Sequence, residues 1–394
     1  MRVAFYTWET LHTVAVGGVA RHVTELAAGL QRRGHEVHVF ARLGHLGQPS
    51  YEPVDGVHYH RCPVALNPDF VIEMNNMGNS LVWHMRETES HQGGWFDIVH
   101  GHDWLCAKGI VQARNDMGRR TILTLHSTEF GRCGNVLYNG QSGRIRDIEA
   151  EGACVADRVI TVSGALADEV KWLYHVPDGK LRTISNGVNC GQFDGTIDAA
   201  ACRRTYGIGP MDPMVLYVGR LSVQKGPDLL LEAVPHILMG RGDAKFVFVG
   251  DGDLRPDLEW RAGELGVAGA VRFLGAMGPG GDIINLYKSC DVVCVPSRNE
   301  PFGIVVLEAW AAGKPVVATH TGGGPRELVN HGTNGLLVYD NPQSIAWGIN
   351  EVFHNFAHAR WMGERGRVKA AYSFSWDAIA GQTEGVYREL AGDR

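Results

Sequence analysis

The sequence predicts an α/β protein of two Rossmann-like, doubly wound parallel-sheet domains, and three observations carry that prediction. At 394 residues the chain is too long for one ordinary core. Short apolar strand-like runs alternate with helix-like ones along its length, as in a parallel sheet covered by helices. After Cys190 the alternation starts afresh, which gives two halves of similar size.

Residues 2–6 read as the first strand. Gly17-Gly18-Val19 follows and opens a helix over 19–33, stopped by Gly34. Strands are expected at 36–40, 97–100, 121–126, 158–162 and 181–185, with helices between several of them. Residues 67–94 read as helical without clear ends. The stretch 191–213, with two prolines and no strand signal, is taken as the connection. A second series of strands begins at 214–218 and continues at 245–249, 271–274, 292–295, 315–318 and 335–338. Helices at 226–238, 282–288, 302–312 and 344–352 accompany it. The expected domains are therefore 1–190 and 214–375. Ligands of such sheets bind at the carboxyl ends of the strands, so a central cleft faced by both domains is the expected site.

Composition excludes several classes. The chain is 44% apolar and 20% charged, as expected of a soluble globular protein. A net charge of −6 argues against a nucleic-acid partner. No apolar run reaches the roughly 20 residues of a membrane span. Peripheral membrane contact stays open, and Arg114, Arg119 and Arg120 hint at a small basic patch. Met1–Phe5 runs straight into a strand without a signal-peptide plan, and the eight scattered cysteines suit reduced thiols, so the expected location is cytoplasmic. His58/His60 and His100/His102 can each present two imidazoles on one strand face, but no third ligand of metal type is near in sequence. No metal and no cofactor are therefore expected.

The chemistry concentrates in Pro296-Ser297-Arg298-Asn299-Glu300-Pro301-Phe302-Gly303-Ile304-Val305-Val306-Leu307-Glu308. Pro301 suits the first turn of a helix, and Gly303 allows close approach of a ligand. The amides of Phe302, Gly303 and Ile304 then lie at the positive end of a helix dipole, suited to hydroxyls or a pyrophosphate. Glu308, just over a turn further on, can accept two sugar hydroxyls. Together these features read as a nucleotide-sugar grip. Gly17-Gly18 can bring backbone to a phosphate, or be a plain tight turn, and it lacks the G-x-G-x-x-G spacing of a dinucleotide enzyme. Arg220 and Lys225 flank a loop between strand and helix, and two cations there suit a pyrophosphate. His126 and His102-Asp103-Trp104 sit where strands stop. Asp103 and Trp104 can hold a sugar, or cap the next helix and fill a core pocket. Asn186-Gly187-Val188-Asn189 reads as a turn, and Glu149 and Glu151 as helix-surface charges.

Over nearly its whole length the chain resembles the retaining glycosyltransferases of family 4, which have the GT-B fold. Glu300 to Glu308 matches the family's E-x7-E motif, preceded by Pro296-Ser297 and followed by Gly313-Lys314-Pro315-Val316-Val317. Gly17-Gly18 resembles the family's phosphate loop, Arg220 with Lys225 its diphosphate pair, and His126 the histidine near the donor's reacting carbon. Asn186-Gly187-Val188 and Thr321-Gly322-Gly323 with Glu327 are further matching landmarks. The resemblance implies that Glu308 binds the ribose and Glu300 the donor sugar. It also implies that Ser373-Phe374-Ser375-Trp376 begins a crossover, with 376–394 packing back on the first domain. His100-Gly101-His102-Asp103-Trp104 and His126-Ser127-Thr128-Glu129-Phe130-Gly131-Arg132 are similar to glycogen-synthase-like members.

By that resemblance the expected function is hexosyl transfer, glucose being the favoured sugar, from an ADP-, UDP- or GDP-linked donor to a sugar, glucan or other hydroxyl. His126, Glu300, Arg220 and Lys225 are the expected catalytic residues, and His102, Asp103 and Trp104 the acceptor contacts. The alternatives are a nucleotide-sugar isomerase or epimerase of the same fold and a non-catalytic nucleotide-sugar-binding protein.

Overall fold

The computed structural model describes residues 1–278, 280–321 and 323–392. It divides into two compact units, one of Met1–Phe130, Val136–Asn186 and the chain from Trp376 onward, the other of Gly131–Asn135 and Gly187–Ser375.

The first unit is built on eight strands: β1 Arg2–Thr7, β2 Glu36–Arg42, β3 Tyr51–Val54, β4 Val57–Cys62, β5 Ile98–His102, β6 Thr121–Leu125, β7 Arg158–Thr161 and β8 Leu181–Thr183. They lie in the order β3-β4-β2-β1-β5-β6-β7-β8. Every pairing is parallel except β3 with β4. β5 and β6 are buried at every position, the expected state of strands covered on both faces. Helix Gly18–Arg32 buries Val23, Leu26, Ala27 and Leu30, one stripe of a 3.6-residue period. The last helix, Trp376–Ala391, packs beside it, with Arg32 on Asp377 at 2.7 Å and Arg33 on Glu384.

The second unit carries β9 Met214–Val218, β10 Lys245–Val249, β11 Val271–Gly275, β12 Val292–Val295, β13 Val316–Thr319 and β14 Leu336–Val338. Their order is β11-β10-β9-β12-β13-β14, all parallel. Each sheet reverses its winding once, next to β1 and β5 in the first unit and next to β9 and β12 in the second. The loops leaving these strands are where a doubly wound sheet binds its ligand.

Two expectations change, and two segments left open gain their bounds. The 191–213 stretch belongs to the second unit: helix Ala199–Thr205 packs on helix Gly281–Ser289, and buried Arg203 donates to Ser289 O at 2.7 Å and Asp291 Oδ2 at 2.9 Å. Residues 51–62 form the antiparallel hairpin β3–β4 through Asp55-Gly56, whose φ values of 50° and 80° suit the Asp-Gly turn pair. The helix within 67–94 is Phe70–Gln92, capped by Asp69 Oδ1 on the Val71 amide at 2.9 Å and stopped by Gly93. The helix expected from Phe302 starts at Ile304, so Pro301 lies before its first turn. Gly303 at φ +100° is the N-cap, a conformation that ends the preceding loop.

Candidate active site

In the second unit, β9 and β12 run side by side and release the loops that hold Arg220, Lys225 and Glu300. Gly226, at φ +62°, turns the chain after Lys225 into helix Pro227–Leu238, and a Cβ there would stand 2.2 Å from Pro296 O. The two loops therefore touch through backbone. Arg298 ties them further, its guanidinium reaching Asp228 and its amide reaching Gln224 O at 2.9 Å.

Glu300 is 7% exposed. Its carboxylate accepts from Lys225 Nζ at 2.8 and 3.0 Å and from Ser297 Oγ at 3.1 Å. Its carbonyl accepts from the Gly324 amide at 2.8 Å, fixing the loop between β12 and helix Ile304–Ala311. The Gly303 and Ile304 amides donate to no group among the described residues, so two donors stand at that helix start. Glu308, on the same helix, accepts from Tyr287 OH at 2.7 Å. Arg220 is exposed, and its guanidinium has no partner among the described residues. The structure thus gathers Lys225, Glu300 and Ser297 into one hydrogen-bonded set. Phe302 is 4% exposed and its ring lies against Phe374, so its side chain fills the core. Of the landmark Thr321-Gly322-Gly323, Gly322 lies outside the described residues.

In the first unit, Glu9 organises the loop after β1. Its Oε2 accepts from the amides of Val16 at 2.8 Å and Gly17 at 2.7 Å. Burial pushes the Glu9 carboxyl up from its usual range, and these two amides oppose that shift. The Gly17 amide is therefore spent inside the protein. The exposed Gly18 amide, at the start of helix Gly18–Arg32, has no partner among the described residues.

Asp103 has φ +60° and ψ 174°, a region that non-glycine residues occupy at a cost of about 1–3 kcal/mol. It is held there from both ends: its amide donates to Thr124 O at 2.8 Å, and its Oδ1 accepts from the His126 amide at 2.7 Å. Asp103 thus fixes His126. Trp104, 6% exposed, meets Phe70 edge-on and fills the core pocket, one of its two expected roles. His102 is 1% exposed. As placed here, neither His102 nor Trp104 offers a face to an acceptor.

His22, one turn into helix Gly18–Arg32, was not anticipated. Its ring lies 4.5 Å from that of His126 and 5.3 Å from that of His102. Its Nδ1 is 2.7 Å from Asn186 Oδ1, which ties the landmark turn at Asn186 to the site. Burial holds His22 and His102 well below the usual histidine range, and it brings His126 down to about 3. His100 lies behind them, between Tyr387 OH at 2.8 Å and Thr124 Oγ1 at 2.6 Å. The signal for His22 was its place on the buried stripe of a helix that starts at the glycine loop. Glu149, expected on a surface, is fully buried instead. It accepts from the Glu129 amide at 3.0 Å and from Tyr174 OH, anchoring the segment after His126. The two-residue spacing to Asp147 and Glu151 gave no sign of this, because burial depends on the neighbouring helix Gly164–Tyr174. Of the basic patch, Arg114 and Arg119 are spent on Asp157 and Glu89. No described helix is long and apolar enough to cross a membrane.

Known proteins match this chain across both units. The model of glycosyl transferases group 1 matches residues 199–369, and that of Glycosyltransferase Family 4 matches residues 16–192. An uncharacterized glycosyltransferase of Methanocaldococcus jannaschii is 38% identical over 98% of this chain and 98% of its own length. A D-inositol 3-phosphate glycosyltransferase of Actinosynnema mirum is 33% identical over 95% of this chain and 94% of its own. Among solved structures, a sucrose-phosphate synthase of Thermosynechococcus elongatus is similar with a TM-score of 0.83 and 25% identity, over 99% of this chain and 98% of that one.

Proposed function

The chain belongs to the glycosyltransferases of family 4, and on that premise we propose that it moves a hexosyl group, glucose first among candidates, from a nucleoside diphosphate sugar to a hydroxyl acceptor with retention at the anomeric carbon. The observation that carries this reading is the carboxylate of Glu300, buried in the loop after β12 against Lys225 and Ser297. An ammonium has three N–H donors, and Glu300 takes two, which leaves one for a phosphate oxygen. Arg220, five residues before Lys225 in sequence, adds a second cation that has no side-chain partner among the described residues. The Gly303 and Ile304 amides add neutral donors. Such fixed donors stabilise charge as it grows on a departing diphosphate, and losing one costs roughly 3–4 kcal/mol of barrier.

In the reaction proposed, the bond between the sugar's anomeric carbon and the diphosphate oxygen breaks while the acceptor oxygen bonds to that carbon from the same face. The acceptor's proton passes to the leaving phosphate oxygen. A retaining hydrolase works instead with two carboxylates about 5 Å apart, one of them a nucleophile. Glu300 is engaged by a lysine and a serine, an arrangement that suits holding a sugar hydroxyl. Glu308, oriented by Tyr287, is assigned to the ribose. His126, neutral at physiological pH, is assigned to the neighbourhood of the reacting carbon, where a neutral imidazole adds no charge to an oxocarbenium-like state.

The names of relatives, a D-inositol 3-phosphate glycosyltransferase and, at 27% identity, a glycogen synthase of Mycobacterium tuberculosis, support acceptors that are polyols or sugars. The test is a screen of ADP-, UDP- and GDP-glucose against such acceptors, with product mass and anomeric configuration read by NMR. Retention and release of nucleoside diphosphate that depends on acceptor are expected. Turnover of the donor alone into a rearranged nucleotide sugar would favour the isomerase reading. Binding without nucleotide release under every acceptor would favour a sensor.

A further inference from the structure

We infer that His22, His102 and His126 together form a binding site for one transition-metal ion of the imidazole-preferring class, represented by Zn²⁺. The three come from separate elements of the first unit: a helix, the end of β5 and the residue after β6. Each offers one ring nitrogen, and the three nitrogens lie within 4.8 Å of one another. His102 Nδ1 and His126 Nε2 are 3.3 Å apart. Two corners of a tetrahedron whose metal–nitrogen bonds are about 2.0–2.1 Å lie about 3.3–3.4 Å apart, so this pair already has the spacing of two ligands on one ion. Their rings are nearly parallel, at 22°, and the His22 ring crosses them at 63° and 75°.

His22 is prepared as a ligand by its own partner. An amide oxygen can only accept, so Nδ1 carries the proton that it shares with Asn186 Oδ1. The other nitrogen, Nε2, is then a lone pair, and it is buried without a hydrogen-bond partner. Metal-bound histidines are commonly oriented in this way by an acceptor on the far ring nitrogen. A buried nitrogen left without a partner is costly for a core histidine that serves packing alone. His100, by contrast, is satisfied at both nitrogens by Tyr387 and Thr124. His126 is only partly buried, which leaves a way in from solvent. Among the described residues no fourth ligand completes the set, so the ion would keep a position for water or an anion.

The site shares His126 with the proposed transfer reaction, but the test of metal binding needs no substrate. The purified, metal-stripped chain is titrated with Co²⁺ and followed by visible absorption, then with Zn²⁺ by calorimetry. One equivalent per chain is expected, with the ligand-field bands of four-coordinate cobalt displaced by Zn²⁺. His22→Ala and His102→Ala should abolish the bands. Asn186→Ala should weaken binding by roughly 10–100-fold, the usual effect of removing a partner that orients a ligand. His60→Ala, in the separate histidine group of β2 and β4, should leave binding unchanged. Absence of stoichiometric Co²⁺ and Zn²⁺ binding by the unaltered chain would overturn the inference, whatever the variants do. So would binding that survives in folded His22→Ala and His102→Ala proteins, or anomalous scattering from a zinc-soaked crystal located away from these rings.

Discussion

Arg220 and Lys225 are both assigned to the diphosphate, yet the structure gives them different loads, and single substitutions separate these. Arg220 is exposed with no side-chain partner among the described residues, so Arg220→Ala should change folding stability by no more than about 0.5 kcal/mol. Lys225 holds a carboxylate that is itself 7% exposed, through contacts of 2.8 and 3.0 Å. Hydrogen bonds to charged groups are worth about 1.5–3 kcal/mol each. The lysine side chain is 26% exposed and partly screened, and Ser297 remains on Glu300, so Lys225→Ala should cost about 2–3 kcal/mol in all. On transfer the two should be alike. Loss of one preorganised donor lowers kcat/KM by roughly 100–1,000-fold. Urea midpoints give the stability difference, and continuous detection of released nucleoside diphosphate gives the rate. The reasoning fails if Arg220→Ala keeps wild-type kcat/KM, or if Lys225→Ala is as stable as the parent chain.

Further outcomes follow from the same structure. Burial brings His38 down to about 4, against the pull of Glu36, and His60 to about 3, and Arg2 and His58 push both the same way. A histidine depressed in the folded state contributes stability that is complete above the unfolded value of about 6.5 and is lost as pH falls below it. Near pH 5 each such group costs about 2 kcal/mol, so urea midpoints should drop between pH 7.5 and 5 and drop less in His60→Gln. Equal midpoints at both pH values would contradict the burial argument. Glu149→Ala strips the acceptor from the Glu129 amide and from Tyr174 OH. It should destabilise by about 2–4 kcal/mol, measured by thermal melting. Gly226→Ala sets a Cβ 2.2 Å from Pro296 O at positive φ, so a loss of at least about 2 kcal/mol and weaker donor binding by calorimetry are expected.

Much of this was legible from residues alone. Continuous valine-rich runs such as Val292–Val295 and Met214–Val218 can hardly be anything but buried parallel strands, and their ends located Lys225 and Glu300. Segments whose pattern is set by partners far along the chain were harder. The β3–β4 hairpin was not anticipated: β3 is exposed at three of its four positions and carries no apolar run. The Gly17 amide looked like a phosphate donor until Glu9, eight residues earlier, was seen to accept it. His22, His102 and His126 are scattered over more than a hundred positions, and only the order of strands brings them together. Sequence spacing could therefore pair His100 with His102 but not find the other rings.

The helix Trp376–Ala391 shares a hydrophobic core with β1 and the helix Gly18–Arg32: Trp376, Ile379, Ala380 and Tyr387 are buried with Val3, Phe5 and Leu30. A ribosome delivers the chain from its amino end, so Val3 and Phe5 emerge long before these partners exist. The first half to be translated must wait, with apolar surface uncovered, until the second has been made. Nascent-chain proteolysis should find residues 1–130 cleavable until those past 376 have left the exit tunnel, after which protection appears in one step.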